Sequence, residues 1–77
     1  METIRGRSMN HLLKALVKKL EGEIAVAQAN VEVYLKSSVG IGEHPDIVEA
    51  IETQVTKIAE AEEKIDTIYK HFPGDGW

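Results

Sequence analysis

The residues best suited to chemistry lie together in one short segment, Gly40 to Asp46, which reads GIGEHPD. Its two glycines are of the type that lets a loop wrap a phosphate, and His44 beside Glu43 is of the type that binds a metal or moves a proton. A phosphate loop, however, has a longer glycine pattern after a strand or carries a Lys-Ser/Thr pair. One histidine with carboxylates also falls short of the three or four converging ligands of a metal site. The segment therefore predicts no catalytic residue, no metal and no cofactor.

Glycine and proline instead predict a bend between two helices. Gly40 readily adopts the left-handed backbone angles that often end a helix, and Pro45 fits the first turn of the next helix. Backbone geometry gives no reason for Glu43 and His44, which lie between them. We therefore keep Glu43 and His44 as candidate residues for contact with a partner.

Apolar residues recur at helical spacing on both sides of this bend. Before it they alternate three and four residues apart, as in an amphipathic helix, at Leu13, Val17, Leu20, Ile24, Ala27, Val31 and Tyr34. After it, a second stripe runs through Ile47, Val48, Ile51, Val55, Ile58, Ala61, Ile65, Ile68 and Phe72. Pro73 and Gly74 then form a stop signal for the second helix.

These stripes predict an all-α fold, a two-helix antiparallel hairpin that is similar to a coiled coil. We expect the first helix at residues 8–37, the bend at residues 38–44 and the second helix at residues 45–72. Residues 1–7 are predicted to form a flexible leader, and residues 73–77 a flexible tail.

The size of the chain predicts self-association. A domain of 77 residues has a thin core, and no cysteine is present to add a disulfide or a thiolate zinc site. A lone hairpin leaves part of each apolar stripe in water, whereas two hairpins bury both stripes in a four-helix bundle. We predict a homodimer or higher homo-oligomer whose self-association core consists of Val17, Leu20, Ile24, Val31, Ile51, Val55, Ile58 and Ile65.

The charges are distributed unevenly along the chain. Residues 1–20 carry five cations against one acid, and residues 21–77 carry twelve acids against four lysines, for a net charge of -4. This acidic balance argues against a general nucleic-acid binder. Antiparallel pairing of residue i with roughly residue 82 minus i sets the basic end beside acids of the second helix, namely Lys14, Lys18 and Lys19 beside Glu60, Glu62, Glu63 and Asp66. The alternative is that the basic end binds an acidic partner.

Glu62 is the one charge on the second apolar stripe. Because a 3.6-residue period drifts off a strict heptad, we expect Ala61 to face inward and Glu62 to turn outward. A buried Glu62 would instead need a partner such as Lys18 or Lys19.

Small residues form a separate face on the first helix at Gly22, Ala25 and Ala29. Glycine inside a helix costs about 1 kcal/mol relative to alanine, and a closely approaching helix or partner would explain that cost. The alternative is a tolerated glycine beside two ordinary helix formers. We keep these three residues as candidate interaction residues, together with Trp77, the only tryptophan, in the predicted tail.

The sequence contains neither a signal-peptide pattern nor a run of about 18 apolar residues, the length that a membrane span requires. The absence of cysteine fits a reducing compartment. These features favour a cytoplasmic protein without membrane association.

The segment from Asn30 to Ile68, NVEVYLKSSVGIGEHPDIVEAIETQVTKIAEAEEKIDTI, resembles small uncharacterised helical-hairpin proteins of T4-like tailed bacteriophages, including cyanophages. In that group an N-L/V-E-V-L-like segment is followed by a V-G-x-G-x-H-P-like bend and a K-I-A-E-A-E-like second helix. The resemblance covers about half of the chain, and the bend is its most specific part. It implies a viral accessory protein of the host cell cytoplasm or, alternatively, of the virion. That family has no assigned activity and supplies no functional residues.

These features favour a non-enzymatic phage-type accessory protein that self-associates and binds a partner protein, as a modulator of a host factor or of host defence. One alternative is a structural component of the virion or of its assembly. Another is a ligand-sequestering oligomer, whose polar pocket between subunits would draw on Lys14, Lys18 and Tyr34.

Overall fold

The computed structural model describes the backbone of residues 2–37 and 44–73, and the side chains of residues 11–36 and 46–73. Those residues form two α-helices, α1 (Glu2–Ser37) and α2 (His44–His71), and contain no strand. The two helices pack against each other. The predicted all-α helical hairpin is confirmed.

The first helix begins six residues earlier than predicted. It starts at Glu2, so residues 2–7 lie within α1 and Ser8 is an internal helical residue. The stretch contains no proline, and extending an existing helix costs far less than nucleating a new one. Residues 2–7 are therefore part of the helix, which corrects the predicted leader.

The second helix agrees with its predicted bounds to within one residue at each end. Its first turn carries Asp46, whose charge is favourable at the positive end of the helix dipole. The backbone N–H of Phe72 still donates to the carbonyl of Ile68 at 2.8 Å, and Pro73 lacks the N–H that the next helical bond requires. The predicted bend, apart from His44 at the start of α2, lies outside the described residues, and so does the tail from residue 74 onward.

The core of the hairpin is a narrow line of small and medium side chains. Its buried hydrophobic members are Val17, Leu20, Ala27, Ala61 and Ile68. Leu13, Ile24 and Ile65 pack against its edge. Every residue of the predicted α1 stripe is buried or half-buried, so its periodicity correctly predicted the face that contacts α2.

The predicted α2 stripe divides into two parts in the structure. The buried positions recur every seven residues at Gln54, Ala61 and Ile68, with half-buried Ile47 one step earlier. Val48, Val55 and Phe72, which belong to the same predicted stripe, are exposed. As expected, Ala61 faces inward and Glu62 is exposed. α1 therefore packs most closely against one edge of the broad α2 stripe and covers its isoleucines only in part.

The molecule is a thin rod that measures 62 × 16 × 13 Å. Its radius of gyration is 17.5 Å, whereas a compact domain of this length has one of about 11–12 Å. No helix in the described part of the chain is both long enough and apolar enough to cross a membrane. A single layer of two helices leaves both long sides of the rod uncovered by the described residues.

Candidate interaction surfaces

One polar contact crosses the interface between the helices. The side-chain nitrogen Nδ2 of Asn30 donates to Oε1 of Gln54 at 3.1 Å. Gln54 is only 7% exposed, and Asn30 is half-buried. Because residue 30 meets residue 54 while Val17 and Leu20 cluster with Ala61 and Ile68, the helices run antiparallel. The predicted register places Asn30 near residue 52, and its partner in the structure is Gln54, which is within one helical turn of that position.

A groove of about 660 Å³ surrounds this contact on one side of the rod, and we call it the polar groove. Small residues at Gly22, Ala27 and Ala61 lie among charged side chains in its lining. From α1 it is lined by Lys19, Gly22, Glu23, Val26, Ala27 and Asn30, and from α2 by Gln54, Lys57, Glu60, Ala61 and Lys64. A shallower depression continues on the same side, next to Leu16, Thr67 and Ile68.

The charges of the polar groove are arranged differently from the prediction. Lys19 donates a hydrogen bond to Glu23, four residues later on the same helix. This hydrogen bond and the charge of Lys19 lower the pKa of Glu23, and Lys64 of α2 lowers it further. The attraction across the interface therefore runs from an acid of α1 to a lysine of α2.

The α1 lysines form no ion pair with the acids of α2 within the described side chains. Within the described side chains, Lys14 and Lys18 form no ion pair, and Lys19 pairs with Glu23 instead of with an acid of α2. Residues four apart on a helix are direct neighbours, so Glu23 reaches Lys19 more easily than an acid across the interface does. Within the described side chains, the antiparallel register therefore stands, but ion pairs from α1 lysines to α2 acids do not contribute to it.

The small-residue face of α1 is not covered by the hairpin itself. A Cβ atom added to Gly22 would meet nothing within 4 Å, and Ala25 and Ala29 are exposed. Gly22 lines the polar groove, whereas Ala25 and Ala29 do not. The structure therefore brings only one of the three candidate residues into a concave surface.

The side of α2 that faces away from the polar groove carries a mostly apolar row, which we call the α2 seam. It consists of Val48, Ile51, Val55, Ile58, Glu62, Ile65 and Tyr69. At about 100° per residue, Lys57 and Lys64 turn to one side of the inward-facing Ala61, and Ile58 and Val55 turn to the other. Val48 is 63% exposed and Val55 51% exposed, and the three isoleucines are half-buried. The polar groove and the α2 seam thus lie on opposite sides of the rod.

Part of the predicted self-association core is buried inside the single hairpin, and part lies on the α2 seam. Val17 and Leu20 are almost fully buried within the single hairpin, so they belong to its own core and are not available to a second copy. Ile24 and Val31 of α1 are half-buried, and the four α2 members, Ile51, Val55, Ile58 and Ile65, all lie on the α2 seam.

The remaining candidate residues do not form a site. Glu43 and Trp77 lie outside the described residues, and of His44 only the backbone, at the first position of α2, is described. Across the described residues no three His, Cys, Asp or Glu side chains converge as metal ligands. His71 lies beside the ring of Phe72, with a centroid distance of 6.5 Å.

Sequence reasoning missed the contact between Asn30 and Gln54. Gln54 is a polar residue inside an apolar stripe, and a search for apolar periodicity passes over it. The seven-residue spacing that joins Ile47, Ala61 and Ile68 also includes position 54, and that spacing was the available sign that Gln54 faces α1.

Comparisons with protein families, with curated proteins and with solved structures find no match to this chain.

Proposed function

We propose that this protein is a non-enzymatic accessory protein that self-associates and binds a second protein, as a modulator of a host factor or of host defence. The proposal places it in the cytoplasm of a host cell. The phage setting is supported only by the resemblance of residues 30–68 to hairpin proteins of tailed bacteriophages.

The observation that carries the proposal is the exposure of large apolar side chains on both long sides of the rod. On the groove side of α1 these are Leu12, Leu16, Val26 and Val33, and on the seam side of α2 they include Val48 and Val55. Scattered single apolar residues are normal on a protein surface, but aligned ones typically mark interaction surfaces. Two such surfaces on opposite sides fit a protein that binds a copy of itself with one and a partner with the other.

A binding role fits the groove better than a catalytic one. Its charged groups are the tips of lysine and glutamate side chains, and Lys19, Glu23, Lys57 and Lys64 are all exposed. Acid–base or nucleophilic catalysis instead uses converging groups that packing holds in position and shields from water.

The self-association half of the proposal is tested by the mass in solution. We expect light scattering at micromolar concentration to give at least twice the 8.5 kDa mass of one chain. A cooperatively folded species of 8.5 kDa under these conditions would contradict self-association.

The partner-binding half is tested by quantitative affinity capture from a lysate of a bacterium that such phages infect. The baits are the wild type, Val26→Lys and Ala59→Lys. Val26 lines the polar groove, whereas Ala59 is exposed two residues from Ala61 and so faces away from α1. We expect a specific partner that the wild type and Ala59→Lys retain and Val26→Lys loses. Capture of no specific protein in replicate experiments would contradict partner binding and favour a structural role in the virion.

A ligand-sequestering oligomer is the second candidate, and the volume of the polar groove favours it. The groups that would hold a small anionic ligand there are Lys57 and Lys64 together with the Asn30–Gln54 amide pair. This set differs from the expected Lys14, Lys18 and Tyr34, which do not line the groove. Saturable binding of a small anion, lost in Lys57→Met and Lys64→Met, would favour this function over protein binding.

A further inference from the structure

We propose that a second copy of this chain packs on the α2 seam, with the two α2 helices antiparallel and a two-fold axis near Ile58. The inference rests on the proposed self-association and identifies its surface, its register and the side of the molecule that stays free.

The exposed area of the chain matches what a stable dimer needs. The chain exposes 6015 Å². A compact monomer of 8.5 kDa exposes about 4,700 Å². The excess is about 1,300 Å² per chain, so two chains that buried it would bury about 2,600 Å² together, which is within the range of obligate homodimers. The α2 seam, from Val48 to Tyr69, runs about 32 Å along the rod and would supply part of that area.

The pattern of the α2 seam is that of a helix packed against another helix. From Val48 to Tyr69 its members alternate three and four residues apart without a break, which is the heptad spacing of a coiled-coil seam. The contact with α1 is centred on the other recurrence, at Gln54, Ala61 and Ile68, and it covers the three isoleucines of the seam only in part. Within the described residues, the fold of one chain therefore leaves Val48 and Val55 exposed and the three isoleucines half-buried along this heptad row.

The seam is complementary to itself in the antiparallel direction. A two-fold interface requires that if residue i contacts residue j of the second copy, then j contacts i. Ile51 and Ile65 each lie seven residues from Ile58. An axis at Ile58 therefore places Ile51 against Ile65 of the second copy, on both sides of an Ile58–Ile58 contact.

Glu62, the one charged member of the seam, favours antiparallel over parallel pairing of the two α2 helices. In a parallel pair Glu62 would face Glu62 of the second copy, and two like charges at a seam position are strongly disfavoured. In the antiparallel register it lies near Val55 of the second copy, at the edge of the contact. Its carboxylate then reaches water while its methylene groups cover the valine.

Such a dimer leaves both polar grooves open. The groove residues Lys57 and Lys64 turn away from the seam, on the other side of the line through Ala61. The dimer would then present two copies of the Asn30–Gln54 groove on its outer faces, where a protein partner has access to them.

A matched pair of valine variants tests the surface. Val55 lies on the seam and Val26 in the groove, and they are 51% and 62% exposed, so a glutamate at either position disturbs no buried contact of the hairpin. We expect Val55→Glu to raise the dissociation constant of the dimer roughly 100-fold or more, because two valines lose their burial and each new carboxylate lies near Glu62 of the second copy, and Val26→Glu to leave it unchanged. Sedimentation equilibrium gives both constants, and circular dichroism confirms that both variants are helical.

The outcomes separate this inference from the proposed function. A wild-type monomer would contradict self-association itself. A wild-type dimer that Val26→Glu dissociates, whether or not Val55→Glu does so too, would overturn the seam assignment and leave self-association standing. A wild-type dimer that survives Val55→Glu would also overturn the seam assignment.

The register has its own test, because the chain has no cysteine and single thiols can be introduced cleanly. We expect Ile58→Cys to cross-link to itself with a short bifunctional thiol reagent. Ile51→Cys and Ile65→Cys should cross-link to each other when mixed, and each far less to itself. Self-linking of Ile51→Cys that equals the mixed reaction would overturn the antiparallel register.

Discussion

Gln54 shows how a single polar residue can set the register of two helices. Its side chain is buried at the interface, and its oxygen Oε1 accepts a hydrogen bond from Asn30. A slip of one turn would separate the two amides and bury both without a partner. The net contribution of one such bond is small, but leaving a buried acceptor unsatisfied costs more than the bond contributes.

We therefore expect Asn30→Ala to lower the free energy of unfolding by about 1–2 kcal/mol, because Gln54 then loses its partner. The double variant Asn30→Leu/Gln54→Leu should recover most of that loss, since no buried amide is left unpaired. Urea unfolding of both variants measures the effect. An Asn30→Ala variant as stable as the wild type would show that the contact does not stabilise the hairpin.

The pKa of Glu23 gives a second prediction at the residue scale. The hydrogen bond from Lys19 and the nearby positive charges lower this pKa, so we expect Lys19→Met to raise it toward its ordinary value. A lowered carboxylate pKa stabilises the fold above the unfolded-state pKa, and the contribution is lost as the pH falls through the folded-state value. The effect is confined to acidic pH and weakens with salt, because the pair is exposed. Titration followed by NMR tests it, and a Glu23 pKa unchanged in Lys19→Met would contradict the assigned cause.

Some residue-scale features could be predicted and others could not. The inward turn of Ala61 and the outward turn of Glu62 follow from the helical period, because adjacent residues differ in direction by about 100°. The ion pairs could not be predicted, because their choice depends on which of several flexible side chains comes within reach. Lys19 had acids on both helices as possible partners, and the one on its own helix is its partner.

At the scale of the element, the structure differs from the prediction in where α1 starts and in how the apolar residues of α2 divide between a buried row and an exposed one. Apolar spacing predicted where each helix runs and which face of α1 is buried. It did not predict the start of α1 at Glu2, because helix ends depend on how far propagation continues beyond the packed region. It also merged two α2 rows into one, because Ile58 and Ile65 lie near the boundary between the core-facing row and the exposed one.

A substitution at Gly22 tests whether the groove side of α1 is open. Glycine inside a helix costs about 1 kcal/mol relative to alanine, and an added Cβ at this position meets no atom within 4 Å. We therefore expect Gly22→Ala to stabilise the protein by about 0.5–1 kcal/mol, and the matched reverse change Ala25→Gly, on the exposed side of α1, to destabilise it similarly. Thermal unfolding measures both. Destabilisation by Gly22→Ala would indicate that another helix approaches Gly22 in the assembled protein, which would contradict an open groove.

At the scale of the whole molecule, a rod of two helices has too little interior for its apolar content. The buried line from Val17 to Ala27 and from Ala61 to Ile68 is one side chain deep, and large apolar side chains remain exposed on both helices. Domains of this size seldom gain more than about 3–5 kcal/mol from a single core. Sequence length and the absence of cysteine indicated this shortage, but the α2 seam, which we propose as the surface that relieves it, is distinguished from the core only in the structure.

The central claim is that the hairpin is completed by association, and the dependence of the unfolding temperature on protein concentration tests it most directly. If folding and dimerisation are coupled, mass action raises the midpoint as the concentration increases, and calorimetry over a hundredfold concentration range should show a steady rise. The Val55→Glu variant should lose that dependence, and the Val26→Glu variant should keep it. A wild-type midpoint that stays constant over the whole range would contradict the account, because it would show that the isolated hairpin is the stable folded unit.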